Sequence, residues 1–332
     1  YAFSKEISPD IAHKAANNFY HAQYAKNFEC NTEASIVSSY SKKINEEYYY
    51  HIFTFSDNGF VILSADDNAF PIIGYSYSNA FSIDQMPIQL QGLLHSAELQ
   101  IKEIRQSKTQ TDYKDLWEKI IQNHQEKSIP LKTVTPLLTT RWSQGTYYNS
   151  YCPECTGGPN GHCVTGCVAT AMGQVMKYHN YPEHGTGTIN FEWGGVTVID
   201  LENTYYRWDE MTNTANYSSQ DAISELLFHC GLSVYMDYGP DASSSFTENI
   251  PDALKNKFGY RPTVRYKDRV DYSDQEWDNM IRDNLDIGYP IVYSGVGTGG
   301  GHAFVCDGYQ DTCFYHFNWG WSGWGDGYYY YN

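Results

Sequence analysis

An α+β fold is expected for this chain of 332 residues, on three observations. A helix-periodic stretch, "ISPDIAHKAANNFYHAQYAKN" (7–27), leads into four short β-rich runs separated by Asn, Gly, Asp and Pro. A second helical segment opens at Cys167, with Val168, Ala171, Met172, Val175 and Met176 along one apolar stripe. Near the C-terminus a glycine cluster at 297 and 299–301 runs into an alternating strand, "HAFVCDG", which turns at "DGYQD" and returns as "TCFYHFN". The count of 31 Tyr against 15 Phe agrees with a large β content, because tyrosine suits half-buried, wet strand surfaces.

Taken in order, the first helix is capped by Ser8 or Asp10. "SIVSSYSK", "YYYHIFTFS", "GFVILSA" and "PIIGYSYS" then read as strands, and two helical stretches follow near 87–107 and 112–125. The polar segment "QNHQEKSIPLKTVTP" reads as an exposed, cleavable linker ending near Pro136. Residues 1–131 carry 11 basic and 16 acidic side chains, and the remainder 11 and 23, so most of the acidity and seven of the eight cysteines lie in the second part. Two domains are therefore expected, 1–131 and 132–332.

A net charge of −17 excludes a nucleic-acid binder, since there is no basic stripe to displace counterions from phosphates. No run approaches 18 apolar residues, so no membrane span is expected. The chain starts at Tyr1 without Met, which points to a removed or omitted leader. It stops inside an apparent strand, "GWGDGYYYYN", which points to a further C-terminal piece. The cysteines at 30, 152, 155, 163, 167, 230, 306 and 313 are too scattered for a disulfide-framework scaffold.

Cys167 is the candidate nucleophile. It sits at a helix start, where unpaired N–H groups and the dipole favour a thiolate, and small neighbours leave room for a substrate. A buried core thiol is the competing reading. A thiol nucleophile needs a base, and His302 is the best placed of the 11 histidines, because the glycines before it allow ligand or backbone to come close. His13, His21, His51, His95 and His124 read as surface or packing residues, and His162, His179, His184, His229 and His316 have equally plain readings. With the turn centred near Tyr309 and Gln310, Phe317 falls opposite His302. Its neighbour Asn318 is then expected to fix the imidazole tautomer, under the cover of Trp319, Trp321 and Trp324.

"TGCVATAMGQVMKYHNYP", "GGGHAFVCDGY" and "FNWGWSGWGDGYYYY" resemble the signature blocks of the streptopain family of bacterial cysteine peptidases. The first domain, with "NGFVILSADDNAFPIIGYS" and "MPIQLQGLLHSAELQIKEI", resembles that family's inhibitory propeptide. "LLTTRWSQGTYYNSYCP" resembles the start of its mature enzyme, and "ELLFHCGLSVYMDYGPDASSS" a middle block. The resemblance implies a papain-like catalytic domain, its helical part carrying the Cys and its antiparallel β part the His, after an α+β prodomain with an antiparallel sheet. Cys167 then matches the nucleophile, His302 the general base, and Gln144 the amide that builds the oxyanion hole with the Cys167 N–H. Gly301 matches a residue whose main chain pairs with substrate, Ser244 lies in the loop lining the cleft, and Asn318 and Trp319 match the segment that orients and covers the histidine. The family's preference for a hydrophobic side chain one residue before the cleaved position is implied as well. The expected protein is a secreted endopeptidase zymogen, with protein or peptide substrates, its own propeptide as inhibitor, and no cofactor or metal. "NAFSIDQMP" (79–87) is expected to block the cleft or displace the His302 loop.

The cluster "CPECTGGPNGHC" departs from the streptococcal members. A local disulfide such as Cys152–Cys163 is preferred to zinc, because the second C-x2-C pair is missing and a metal would consume Cys167. "GVGTGG" (295–300) matches a dinucleotide fingerprint only literally, since it opens a strand and not a helix. "SADDNAF" (64–70) is better read as a turn than as a Ca²⁺ loop. Cys30, Cys230, Cys306 and Cys313 read as small hydrophobes, with Cys306 on the same strand face as His302. Two rival functions carry over: a non-enzymatic inhibitor or binding module on a degenerate papain fold, and a Cys–His amidase or transglutaminase-like acyl transferase.

Overall fold

The computed structural model describes residues 4–107, 111–123, 132–297, 300–311 and 313–330. The first helix, α1 (Pro9–Phe28), starts where Ser8 caps it through the Ile11 N–H. β1 (Ile36–Ile44), β2 (Glu47–Phe55), β3 (Phe60–Ser64) and β4 (Ile72–Ser76) follow as an antiparallel meander. Next come α2 (Ile88–Ser107) and α3 (Tyr113–Gln122). The second half contributes α4 (Cys167–His179), a small hairpin of β5 (Thr188–Glu192) and β6 (Val196–Asp200), then α5 (Gln220–Ser233), α6 (Ile250–Lys257) and α7 (Asp274–Asp286). It closes with β7 (Ile291–Gly297), β8 (Gly300–Gln310), β9 (Phe314–Asn318) and β10 (Gly327–Tyr330). Most of the expected linker, 124–131, lies outside the described residues.

The two halves share one sheet. Its order is β1-β2-β3-β4-β10-β9-β8-β7, and every neighbouring pair is antiparallel. The join is short, with Tyr328 opposite Tyr75 and Tyr329 opposite Gly74. Glycine is required at 74, because a Cβ there would lie 2.5 Å from a Tyr329 ring carbon.

Strand alternation divides the packing into three cores. Val61 and Leu63 face α1 and α3, burying Ala12, Ala15, Ala16, Phe19 and Trp117. Phe60 and Ile62 face the other way, toward α2. There Leu90, Leu94 and Ile101 pack in one continuous core with Trp277 and Ile281 of α7 and with Phe304, Phe317 and Trp319 of the second half. The opposite face of β8, Ala303 and Val305, packs on α4 and α5. α2 thus covers both parts of the sheet from one side.

The C-terminal end of α2 is tied to the first half by a buried ion pair. Asp66, in the turn after β3, is fully buried and accepts from Arg105 Nε (2.9 Å), Ser4 Oγ (2.6 Å) and the Asn68 N–H (3.0 Å). Arg105 also donates to the carbonyls of Tyr48 (2.8 Å) and Ala65 (3.1 Å). The paired acids of "SADDNAF" therefore hold chain groups and form a turn. Arg105→Ala leaves a buried carboxylate without its cation, and a loss of about 3 kcal/mol in urea unfolding of the full chain is expected. A loss under about 0.5 kcal/mol would mean that Ser4 and Asn68 satisfy Asp66 by themselves.

Candidate active site

Cys167 is the first residue of α4. Gly166 before it has φ +87°, a conformation that favours glycine. A Cβ at 166 would also lie 2.7 Å from the Met236 sulfur and 3.1 Å from the Ser243 carbonyl. The sulfur accepts from the Ala303 N–H at 3.4 Å, so the helix start and strand β8 meet at this atom. Burial pushes the Cys167 thiol up from its ordinary range, against the opposing pull of the Ala303, Val168 and Cys167 N–H groups. In this form the side chain is therefore a thiol at neutral pH, because desolvation outweighs the helix start.

The segment leading to Gln144 runs beside this helix start. The Gln144 carbonyl accepts from both the N–H (3.0 Å) and the hydroxyl (2.9 Å) of Thr165, two residues before Cys167. The cysteine-rich loop braces the same approach. Its disulfide joins Cys155 to Cys163, correcting the expected Cys152–Cys163 pairing; Cys152 is a buried free thiol. The reason is local. The loop folds back through an Asn149 amide bonded to the carbonyls of Pro159, His162 and Cys163, and Cys155 N–H donates to Gly161 O, which brings position 155 against 163. His162 turns its Nδ1 to the Cys152 carbonyl (2.7 Å).

The loop carrying Ser244 lies against Gly166. Ser243 Oγ donates to Val164 O (2.6 Å), and the exposed Ser244 pairs with Asp237 through both backbone bonds (2.9 Å each). Gly301 is exposed at the mouth of the β7–β8 hairpin, where a Cβ would meet only Val296 at 3.9 Å. Both residues are exposed, Ser244 next to the Ser243 that lies against Gly166 and Gly301 two residues before Ala303.

His302 lies in β8, two residues after its pairing begins at Gly300, and stands opposite Gly295. Alternation along β8 places 302 on the face of Phe304 and Cys306, and Ala303 on the face of α4. The hairpin register differs from the sequence expectation. β8 continues through Gln310, β9 starts at Phe314, and Phe317 pairs with Cys306 while Asn318 pairs with Val305. β8 runs on to Gln310 and β9 starts only at Phe314, so the partner of His302 falls beyond the end of β9, and the bulge between Cys306 and Gly308 takes back one residue of that shift.

Asn318 accordingly serves a different set of partners here. Its Oδ1 accepts from Gln174 Nε2 (3.0 Å) and the Gly320 N–H (3.1 Å), which uses both lone pairs, and its Nδ2 donates to Thr140 O (2.7 Å). Trp319 is buried, donates its indole N–H to Gly325 O (2.9 Å), and packs at a tilt of 52° against Phe304 with centroids 4.7 Å apart. Cys306 is fully buried and its thiol is pushed far up by burial, as a packed hydrophobe.

The first half meets this region directly. Gln89 at the start of α2 donates to the Trp319 carbonyl (3.3 Å), Gly325 N–H donates to Ala80 O (3.1 Å), and a Cβ at Gly297 would touch Gly92 at 3.7 Å. Segment 79–87 is thus seated on the loop after β9, and α2 on Gly297 at the end of β7. Sequence reasoning missed the buried polar residues beneath. His316 Nδ1 meets Asp307 Oδ1 at 2.6 Å, and Asp326 Oδ1 accepts the Trp319 N–H at 2.8 Å. Burial draws the His316 pKa down, but Asp307 outweighs it and holds it above the ordinary value. Burial pushes Asp326 up to about 7, opposed by the Trp319 N–H and His316.

Comparison with known proteins agrees with this arrangement. The Peptidase C10 family matches residues 142–329, and the Spi protease inhibitor family matches residues 4–101. The chain belongs to the Peptidase C10 family. Streptopain from Streptococcus pyogenes is 35% identical over 301 residues, covering 84% of this chain and 73% of that protein. The thiol protease/hemagglutinin PrtT of Porphyromonas gingivalis is 30% identical over 340 residues, covering 93% of this chain but 38% of its own length. A prointerpain A fragment from Prevotella intermedia superposes with a TM-score of 0.72 at 29% identity, covering 89% of this chain and 92% of that one. Active interpain A covers 60% of this chain and 86% of its own, with a TM-score of 0.56 at 35% identity. The chain is a cysteine peptidase zymogen with an inhibitor-like propeptide region before a papain-like catalytic region, as expected from the sequence.

Two outcomes follow from the buried groups. Alkylation of Cys167 by iodoacetamide, followed by mass spectrometry, should be slow in the full chain, with a pH–rate curve displaced to the alkaline side of an ordinary thiol. Limited proteolysis should accelerate it; equal rates before and after would remove burial as the cause. A buried acid with a raised pKa stabilises the fold least when ionised, so its contribution is lost as pH rises through about 7. Asp326→Asn should therefore gain stability relative to the parent as pH rises from 5 to 8, in urea titrations, and a pH-independent difference would contradict this.

Proposed function

We propose that residues from 132 onward form the thiol endopeptidase and that residues up to 131 hold it latent. The Cys167 thiolate attacks a peptide carbonyl, with its proton carried by His302. The oxyanion rests on the Gln144 amide and the Cys167 N–H, and His302 protonates the leaving amine. Water then hydrolyses the thioester and returns the sulfur. The observation that carries this reading is the contact of Cys167 Sγ with the Ala303 N–H, which joins the helix start to the residue after His302. Gly301 and Ser244 contribute main chain and open surface for an extended peptide.

Latency follows from packing. α2 and segment 79–87 bear on the hairpin and loop that must carry His302 to the Cys167 side of β8. Cleavage ahead of 132 leaves the enzyme's own start in place, because Val134 exchanges both backbone bonds with Tyr309 (3.0 and 2.9 Å), and Leu137 N–H donates to Asp307 O (2.9 Å). Asn318 and Trp319 then form the wall against which the displaced histidine settles. The Cys155–Cys163 bridge supports secretion into an oxidising compartment, and the substrates are proteins or peptides with a hydrophobic side chain one residue before the cleaved position.

The test is hydrolysis of a peptide substrate by the full chain after limited proteolysis. Cys167→Ala should abolish turnover, and Gln144→Ala should lower kcat by about 10- to 1,000-fold with a smaller effect on KM, the range seen when an oxyanion donor is lost. Activity in Cys167→Ala would sink the reading. Transfer of the acyl group to an added amine, without hydrolysis, would favour the acyl-transferase alternative.

A further inference from the structure

Gln174 lies on α4 two turns after Cys167, on the same side of the helix, and is fully buried among apolar neighbours. Its carboxamide closes a ring with two other buried residues. Thr140 Oγ1 donates to Gln174 Oε1 (2.9 Å), Gln174 Nε2 donates to Asn318 Oδ1 (3.0 Å), and Asn318 Nδ2 returns to the Thr140 carbonyl (2.7 Å). The Trp142 N–H adds a fourth bond to Gln174 Oε1 (3.3 Å), and the Gly320 N–H a fifth to Asn318 Oδ1 (3.1 Å).

These bonds connect the helix that carries Cys167, the strand-like segment that leads to Gln144, and the turn that follows β9. We infer that Gln174 is a positioning residue, which sets the spacing between the nucleophile, the oxyanion amide and the Asn318 wall through this ring. The inference rests on the roles proposed above for Gln144 and Asn318.

The chemistry requires an amide at this place. One end of the side chain must accept two donors and the other must donate to an oxygen. Methionine fills the volume but makes none of these bonds. A glutamate carboxylate would set an oxygen against Asn318 Oδ1, whereas a protonated glutamic acid reproduces both functions. Its hydrogen-bond partners Thr140, Trp142 and Asn318 are all neutral, and burial raises the pKa of such an acid.

The experiment compares Gln174→Met and Gln174→Glu with the parent, all as the full chain activated by limited proteolysis, in steady-state peptide hydrolysis from pH 5 to 8. Gln174→Met should lose kcat by about 10-fold or more while KM stays within about 3-fold, the pattern of an interaction that acts only in the transition state. Gln174→Glu should recover toward the parent as pH falls, with a ratio of variant to parent kcat at least 5-fold higher at pH 5 than at pH 8, on the order of what full reprotonation of a buried acid gives. A parental kcat in Gln174→Met, with only a lowered Tm, would overturn the inference and leave a packing role. A flat Gln174→Glu ratio would overturn it as well. If Gln174→Met does not accumulate, Thr140→Val removes only the hydroxyl's bond, and an unchanged kcat there would count against the ring. Gln144→Ala and Asn318→Ala run in parallel separate the two levels: if both retain parental kcat, the proposed site roles fail first, and if they lose it while Gln174→Met does not, only the inference fails.

Discussion

The pairing of β4 with β10 is the constraint on which the rest of this molecule depends. Two residue pairs, Tyr328–Tyr75 and Tyr329–Gly74, turn two antiparallel sheets into one, and α2 can then cover both parts from a single side. A helix docked on a separate domain could rock relative to the catalytic half. Here it is held at one end by the Asp66–Arg105 pair and at the other by Gln89 on Trp319. The apolar core beneath it, from Leu90 and Leu94 to Phe304 and Phe317, is shared and cannot be opened from one half alone.

That rigidity explains how a site can be assembled and latent together. Cys167, the proposed nucleophile, stands at the start of α4 with an N–H of β8 on its sulfur, and burial pushes its thiol up. The histidine is on the same strand, one residue away, and alternation turns position 302 to the α2 face. On the function proposed above, a displacement of the β7–β8 hairpin brings the pair together. The segment after 132 is tied to β8 through Val134 and Leu137, so its attachment to the C-terminal strands does not depend on what precedes it.

The buried polar residues beneath the site show why its walls hold their shape. Gln174, Thr140 and Asn318 satisfy one another in a dry environment, where an unmade bond is expensive and a closed ring is therefore specific. Asp326 and the His316–Asp307 pair do the same below Trp319. None of these residues needs to touch substrate to matter for geometry.

The sequence by itself determined the elements and the chemistry. Period-2 runs became β1 to β4, the apolar stripe after Cys167 became α4, and the blocks around Cys167, His302 and Gln144 carry the resemblance to the streptopain family. These are local signals, carried by side-chain periodicity and residue type. What only the tertiary structure decided was who meets whom. A later end of β8 moved Phe317 from His302 to Cys306, the loop fold selected Cys155 over Cys152 as the partner of Cys163, and the first four strands joined the last four in one sheet. Gln174 was legible only as a polar residue in an apolar helix. Its partners, 34 and 144 residues away, were not. Register, disulfide choice and long-range hydrogen bonds depend on one-residue offsets and on distant chain closure, and local periodicity carries no information about either.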